Sequence, residues 1–136
     1  MERREVLVIN VYVEKAEGLD GQRGSVCMLH FSGDASGSGF TGKVIQGGID
    51  TQVEMKGEKR TLSARYILEG TDADGNDARI YIENNGAFEF DEEGNMITKP
   101  FLLTNSKSLA WLEDCNLTGA AQLGEKVVIK IYADIA

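Results

Sequence analysis

Hydrophobic and polar positions alternate along most of this chain with a period of two, in short runs. Residues 5–14 (EVLVINVYVE), 25–32, 40–45, 49–55, 61–68, 78–84, 100–104, 109–117 and 125–133 are rich in β-branched and aromatic residues. Gly, Asn and Asp bound them, which is the signature of strands. No apolar repeat of 3.6 residues persists for a dozen positions, so the pattern predicts no long helix and leaves room only for a short helical turn over 105–108. Sixteen glycines are spread along the chain rather than gathered in one tract, marking turns between strands. Residues 55–60 put Gly57 where a tight hairpin wants positive φ, and 70–77 reads as a longer, acidic hairpin loop. Eight or nine consecutive strands with short connections predict an all-β fold. The expected architecture is a single antiparallel up-and-down β-barrel of about eight strands over residues 1–136, closed so that no sheet edge is exposed.

Three neighbouring strands carry an unusual message. Asp50, Gln52 and Glu54 oppose Ile49, Val53 and Met55; Ser63 and Arg65 oppose Leu62, Ala64, Tyr66 and Leu68; Arg79, Tyr81 and Glu83 oppose Ala78, Ile80 and Ile82. Period-two geometry assembles these into one polar and one apolar face. Either the polar face meets solvent, or Asp50, Arg65 and Tyr81 turn inward around a wet pocket while another subunit covers the apolar face. The first and last strands are apolar on both sides. Side by side in a barrel, they would gather Val6, Val8, Val128 and Tyr132 into an outward patch, which predicts a homodimer.

Composition narrows the classes. A chain of 136 residues, 42% hydrophobic and 26% charged, is expected to fold as one globular domain. The formal charge of −8 and the scattered basic residues argue against nucleic acid as a partner, and no apolar run is long enough to span a membrane as a helix. The opening MERREVLVINVYVEKAEG sets basic residues before an apolar stretch, but Asn10 interrupts it and no small-residue cleavage site follows. It is expected to be a strand, and the protein cytoplasmic. Cys27 and Cys115 fit no metal or redox spacing and are expected to be free thiols.

Several candidate chemistries fall away. His30 lacks a nucleophile in any hydrolase motif, and there are too few His and Cys for a metal site. The acidic loop 72–77 carries Gly at its fourth position rather than its sixth, unlike a calcium loop. Residues 33–39 (GDASGSG) lack the Lys and helix of a phosphate cradle and read as a plain loop. No cofactor is expected. Gly47-Gly48-Ile49-Asp50 is more specific: paired glycines deliver Asp50 near a barrel rim. Asn84-Asn85-Gly86 reads as closing a strand with residues tolerant of left-handed backbone.

The runs FTGKVIQGGIDTQ, LSARYILEGTDADG, ARIYIENNGAF and KPFLLTNSKSLAWLEDCNLTG, followed by GEKVVIKIYAD, resemble a widespread microbial family known as domain of unknown function 3237. The resemblance covers the chain from about Val6 onward. The family's Gly-Gly-x-Asp falls on Gly47, Gly48 and Asp50, its Ala-Arg-Tyr on Ala64, Arg65 and Tyr66, its Ile-x-Asn-x-Gly on Ile82, Asn84 and Gly86, and its Trp-Leu on Trp111 and Leu112. Thr51 stands where members often carry Trp, and Glu113 where they carry Asn after Trp-Leu; if those side chains touch a ligand, the ligand here differs. The resemblance implies a small lipocalin-like barrel and no particular activity.

Three uses of such a barrel are open, one of them purely structural, in an oligomer assembled through the terminal strands. A small organic ligand held in the barrel or its mouth would be oriented by Asp50, Arg65, Tyr81 and Asn84, with Tyr66, Phe101 and Trp111 in apolar contact. Alternatively, Asp50 as general base, Arg65 as anion stabiliser and Tyr81 as proton donor would suit an isomerase, cyclase or hydratase acting without a cofactor.

Overall fold

A computed structural model describes residues 2–135, and among them nine strands. They are β1 (Glu2–Asp20), β2 (Gly24–Ser36), β3 (Phe40–Val44), β4 (Gly48–Met55), β5 (Thr61–Asp72), β6 (Asp77–Phe90), β7 (Met96–Thr104), β8 (Leu117–Gln122) and β9 (Val127–Ile135). A 3-10 turn, Ala110–Asp114, lies between β7 and β8. Each strand pairs antiparallel with its neighbours, and β1 closes the ring against both β2 and β9. Strands β3 and β4 run in line between β2 and β5, so together they fill one place in a barrel of eight. The predicted all-β, up-and-down barrel is what the chain forms.

The break between β3 and β4 inserts two residues against each neighbour. Lys43 faces Asp34 and Glu69, while five positions on Gly48 faces Phe31 and Ile49 faces Arg65. Gly47 takes φ of 116° there, a backbone region that costs glycine little. Two inserted residues leave the period-two parity unchanged. The even positions that point Phe40 into the core therefore also point Asp50 and Gln52 inward.

The barrel has two unlike ends. One is packed: Leu7, Leu68, Ile80, Ile131, Leu109 and Leu112 are buried together, the last two delivered by the 3-10 turn and the residue before it. At the other end β1, β2 and β4 run on together past β9, because β9 stops pairing with β1 at Val11 while β2 pairs with β1 as far as Asp20 and with β4 as far as Gly24.

Several sequence expectations are corrected. Residues 109–117 are not a strand; Leu109 and Leu112 fall on one side of a three-residue-per-turn helix and plug the packed end. The strand sought there is β8, built of LTGAAQ. Residues 33–36 belong to β2 rather than to a loop, and Asn84-Asn85-Gly86 lies within β6, with no positive φ outside glycine among the described residues. The hairpin at Gly57 (φ 81°) and the loop at Gly75 (φ 80°) form as expected. The sequence DADGN at 72–76 has a twin in DEEGN at 91–95: in both, the leading Asp side chain accepts two backbone amides of its own turn.

Terminal strands β1 and β9 do lie side by side. The outward patch does not assemble, however. A bulge between Glu5 and Leu7 lets Val6 turn into the core, Lys130 faces Val8, Asn10 faces Val128, and the Arg3 guanidinium stacks 4.3 Å from the Tyr132 ring. Both cysteines are free thiols. No helix among the described residues is long and apolar enough to cross a membrane.

Candidate functional site in the open end of the barrel

Register places the site in two rows across the barrel wall. Asp50 faces Ala64, Ala64 faces Asn84, and Asn84 faces Pro100. One row nearer the open end, Gln52, Leu62, Gly86, Thr98 and Gly119 follow one another around five strands. Large side chains at every inward position would fill an eight-stranded barrel. Here Ala64, Gly86, Gly119 and Ala121 stand among them, and a cavity of about 270 Å³ remains. Its walls are apolar, from Val11, Phe31, Leu62, Phe88, Met96 and Ile129; Val13 and Leu123, half exposed, stand at its rim.

Polar side chains of Asp50, Asn84 and Thr98 stand among the lining of this space. Asn84 is 1% exposed and Thr98 4%. Asn84 Oδ1, Thr98 Oγ1 and Asp50 Oδ1 are buried and find no hydrogen-bond partner among the described residues. A buried polar group left unpaired costs about 1–3 kcal/mol, so three around one cavity is a concentration of cost. Gly119 is what lets Thr98 sit there: a Cβ on it would lie 2.1 Å from Thr98 Oγ1 and 3.3 Å from Asn84 Oδ1.

The other oxygen of Asp50 accepts a hydrogen bond of 2.9 Å from Gln52 Nε2. Burial pushes the Asp50 carboxyl above the ordinary carboxylate value. The Gln52 bond, a backbone bond from Ser63 and the positive charge of Arg60 oppose that shift without cancelling it. Arg60 precedes β5; its guanidinium lies 5.6 Å from the centre of the Phe88 ring, and its Nε is buried and unpaired among the described residues.

The five residues singled out from the sequence do not come together. Asp50 and Asn84 share the cavity. Arg65 and Tyr81 stand on the outer surface, one pairing with Glu83 at 3.5 Å and the other donating to Glu83 at 3.1 Å. Partial burial first, and then the Glu83 carboxylate, raise the Tyr81 hydroxyl above its usual range. Trp111 is 42% exposed on the 3-10 turn at the packed end, beside a smaller space of about 150 Å³. The single polar face joining Asp50, Arg65 and Tyr81 is thus corrected: β4 turns its polar side inward, while β5 and β6 turn theirs outward. Tyr66 is buried edge-on against Phe31, with ring centroids 5.4 Å apart, and burial raises its hydroxyl. Phe101 is half exposed outside. Thr51 lies on the strand face opposite Asp50, and Glu113 accepts the backbone amide of Thr104, so neither is among the cavity's lining residues.

Thr98 and Arg60 were not marked by the sequence, and Gln52 only as a member of the polar face of its strand. The signal for Thr98 was indirect, a small-residue partner at Gly119 in a strand that propensity hid.

The profile of the family described as protein of unknown function (DUF3237) matches residues 4–133. The chain belongs to this family. A UPF0311 protein of Clostridium acetobutylicum is 32% identical over 97% of this chain and 93% of its own length. The crystal structure of a protein of unknown function from the same organism superposes with a TM-score of 0.81 at 33% identity, covering 99% of this chain and 100% of that one. An enzyme from Penicillium herquei superposes with a TM-score of 0.75, covering 97% and 92% of the two chains; at 18% identity the fold alone is shared. DUF3237 is thereby a barrel family in which the cavity, rather than the family description, must speak for function.

Proposed function

We propose that this DUF3237 protein is a small-molecule-binding barrel that holds one compact organic ligand in the open-end cavity. The observation that carries the reading is the pairing of apolar walls with three inward, unpartnered oxygens, on Asp50, Asn84 and Thr98. Specific sites are mostly apolar with a few convergent polar groups, and about 270 Å³ lies just below the usual range of ligand pockets, which argues for a small ligand. Thermal-shift screening of small aromatic and aliphatic compounds tests it, with Ala121→Phe as a filled-cavity control. Binders raise Tm of the wild type and leave the variant unmoved, as mass action requires. Equal shifts on both proteins overturn the reading.

A catalytic version is supported by one observation, the carboxyl of Asp50 held inside the cavity and above its ordinary pKa. Arg65 and Tyr81 face outward and drop out of the catalytic set. Asp50 would then exchange a proton with the ligand, with Thr98 or Asn84 fixing the reacting group. Turnover of a bound compound, lost in Asp50→Asn with binding retained, distinguishes this from passive binding. The barrel's fold supports either use, as the Penicillium herquei enzyme illustrates for catalysis. A homodimer across the β1–β9 seam rests on Val8 and Val128 alone; light scattering on wild type and on Val8→Asp with Val128→Asp decides it.

A further inference from the structure

The chemistry of the unpartnered atoms narrows the ligand. Asn84 Oδ1 is an acceptor, Asp50 Oδ1 is an acceptor whenever the carboxyl is ionised, and Thr98 Oγ1 accepts as well as donates. The site therefore asks for donors. An anion would bring only acceptors, and would set its charge against Asp50. A cation would find a single charged partner, Asp50, inside otherwise apolar walls, where its desolvation is costly. The remaining walls are apolar, with Phe31 and Phe88 among them.

We propose, resting on the binding reading above, that the ligand is a neutral, flat, largely apolar molecule whose buried edge carries two phenol-type hydroxyl groups, one donated to Asp50 and one to the Asn84–Thr98 pair. Phenolic O–H is a strong donor on an aromatic body that apolar walls accept, and it is fully satisfied only where acceptors are preset. The three oxygens that are a cost in the empty barrel then become the source of specificity, since an analogue without donors leaves them buried and unpaired.

The probes are naphthalene-1,3-diol, unsubstituted naphthalene, 1,3-dimethoxynaphthalene and 1-naphthylmethylamine. Binding is read from the methyl chemical shifts of Ala64, Ala121 and Met96, which line the cavity. The diol is expected to bind tightest, by about a hundredfold over naphthalene, the equivalent of two well-made hydrogen bonds. Thr98→Val and Asn84→Leu each weaken the diol by about tenfold and leave naphthalene within about twofold. Naphthalene or the dimethyl ether binding as tightly as the diol overturns the hydroxyl assignment, and the amine binding tightest replaces it with a cationic ligand. If none of the four moves those methyl groups, the cavity reading itself fails, an outcome distinct from a wrong ligand class.

Discussion

At the residue scale the cavity is maintained against stability. Thr98 Oγ1 has no partner among the described residues and its residue is almost wholly buried, so the near-isosteric Thr98→Val removes an unpaired hydroxyl without opening space. Chemical denaturation should show the variant more stable than wild type by about 1–2 kcal/mol. A loss of that size instead would mean that Thr98 is satisfied in solution. Gly119 supplies the complementary case. Its Cβ would overlap Thr98 Oγ1, and Gly119→Ala is expected to cost about 1–3 kcal/mol, the scale of overpacking. Adding Thr98→Ala should recover most of that cost, and purely additive effects in this double-mutant cycle would remove Thr98 as the cause. These residues were nearly illegible beforehand. Asp50 and Asn84 could be singled out as polar groups beside glycines, but which way each pointed depended on the register that sets Asp50 and Asn84 opposite the buried Ala64, and alternation within one strand does not fix register.

At the element scale most strands were legible because β-branched residues alternate with polar ones over five or more positions. The exceptions share a cause. Strand β8 is LTGAAQ, with poor β propensity; its inward Ala121 lines the cavity and its inward Gly119 leaves room for Thr98. The small residues that leave the cavity open also remove the signal that would have revealed the strand. The 3-10 turn was misread because Leu109, Trp111 and Cys115 mimic an alternating run, whereas the buried spacing is Leu109 to Leu112. Strand β1 raises a different question, since beyond Val11 it has β2 on one side and no β9 on the other. Charged Glu14, Lys15 and Glu17 and the bulge between Val13 and Lys15 are devices that discourage pairing with a stranger. Amides of 12–20 that point to this free edge should exchange with solvent roughly a hundredfold or more faster than those of Leu7, Ile9 and Val11. Hydrogen-exchange NMR checks it. Uniform protection along β1 would mean that the edge is covered, which would revive a dimer through this strand.

At the scale of the whole molecule, two carboxylates near opposite ends of the barrel pull acid stability in opposite directions. At the packed end, the Ser106 hydroxyl donates to Asp72 at 2.7 Å, and the amides of Asp74 and Asn76 add to it, holding Asp72 below its ordinary value of 3.8 despite some desolvation. The folded state there binds fewer protons than the unfolded one. The contribution of Asp72 is therefore complete above about pH 3.8 and is lost as acid carries the pH down through the lowered folded value. At the open end, burial raises Asp50 above the same 3.8. Its folded state keeps the proton longer, so its contribution is present below about pH 3.8 and is lost as the pH rises through the raised value. Chemical denaturation from about pH 3 to about pH 7 should then separate two variants. Asp72→Asn falls below wild type at neutral pH and converges with it in acid. Asp50→Asn rises above wild type at neutral pH and converges with it at the acid end, where wild-type Asp50 is already protonated. Because Asp50 also faces the cavity, a bound donor ligand that favours its carboxylate should shrink the advantage of Asp50→Asn at neutral pH, coupling the acid profile of the barrel to occupancy of its open end. Curves for the two variants that run parallel to wild type across the range would show that neither carboxyl differs between the folded and unfolded chains, and would remove Asp50 from the proposed proton chemistry.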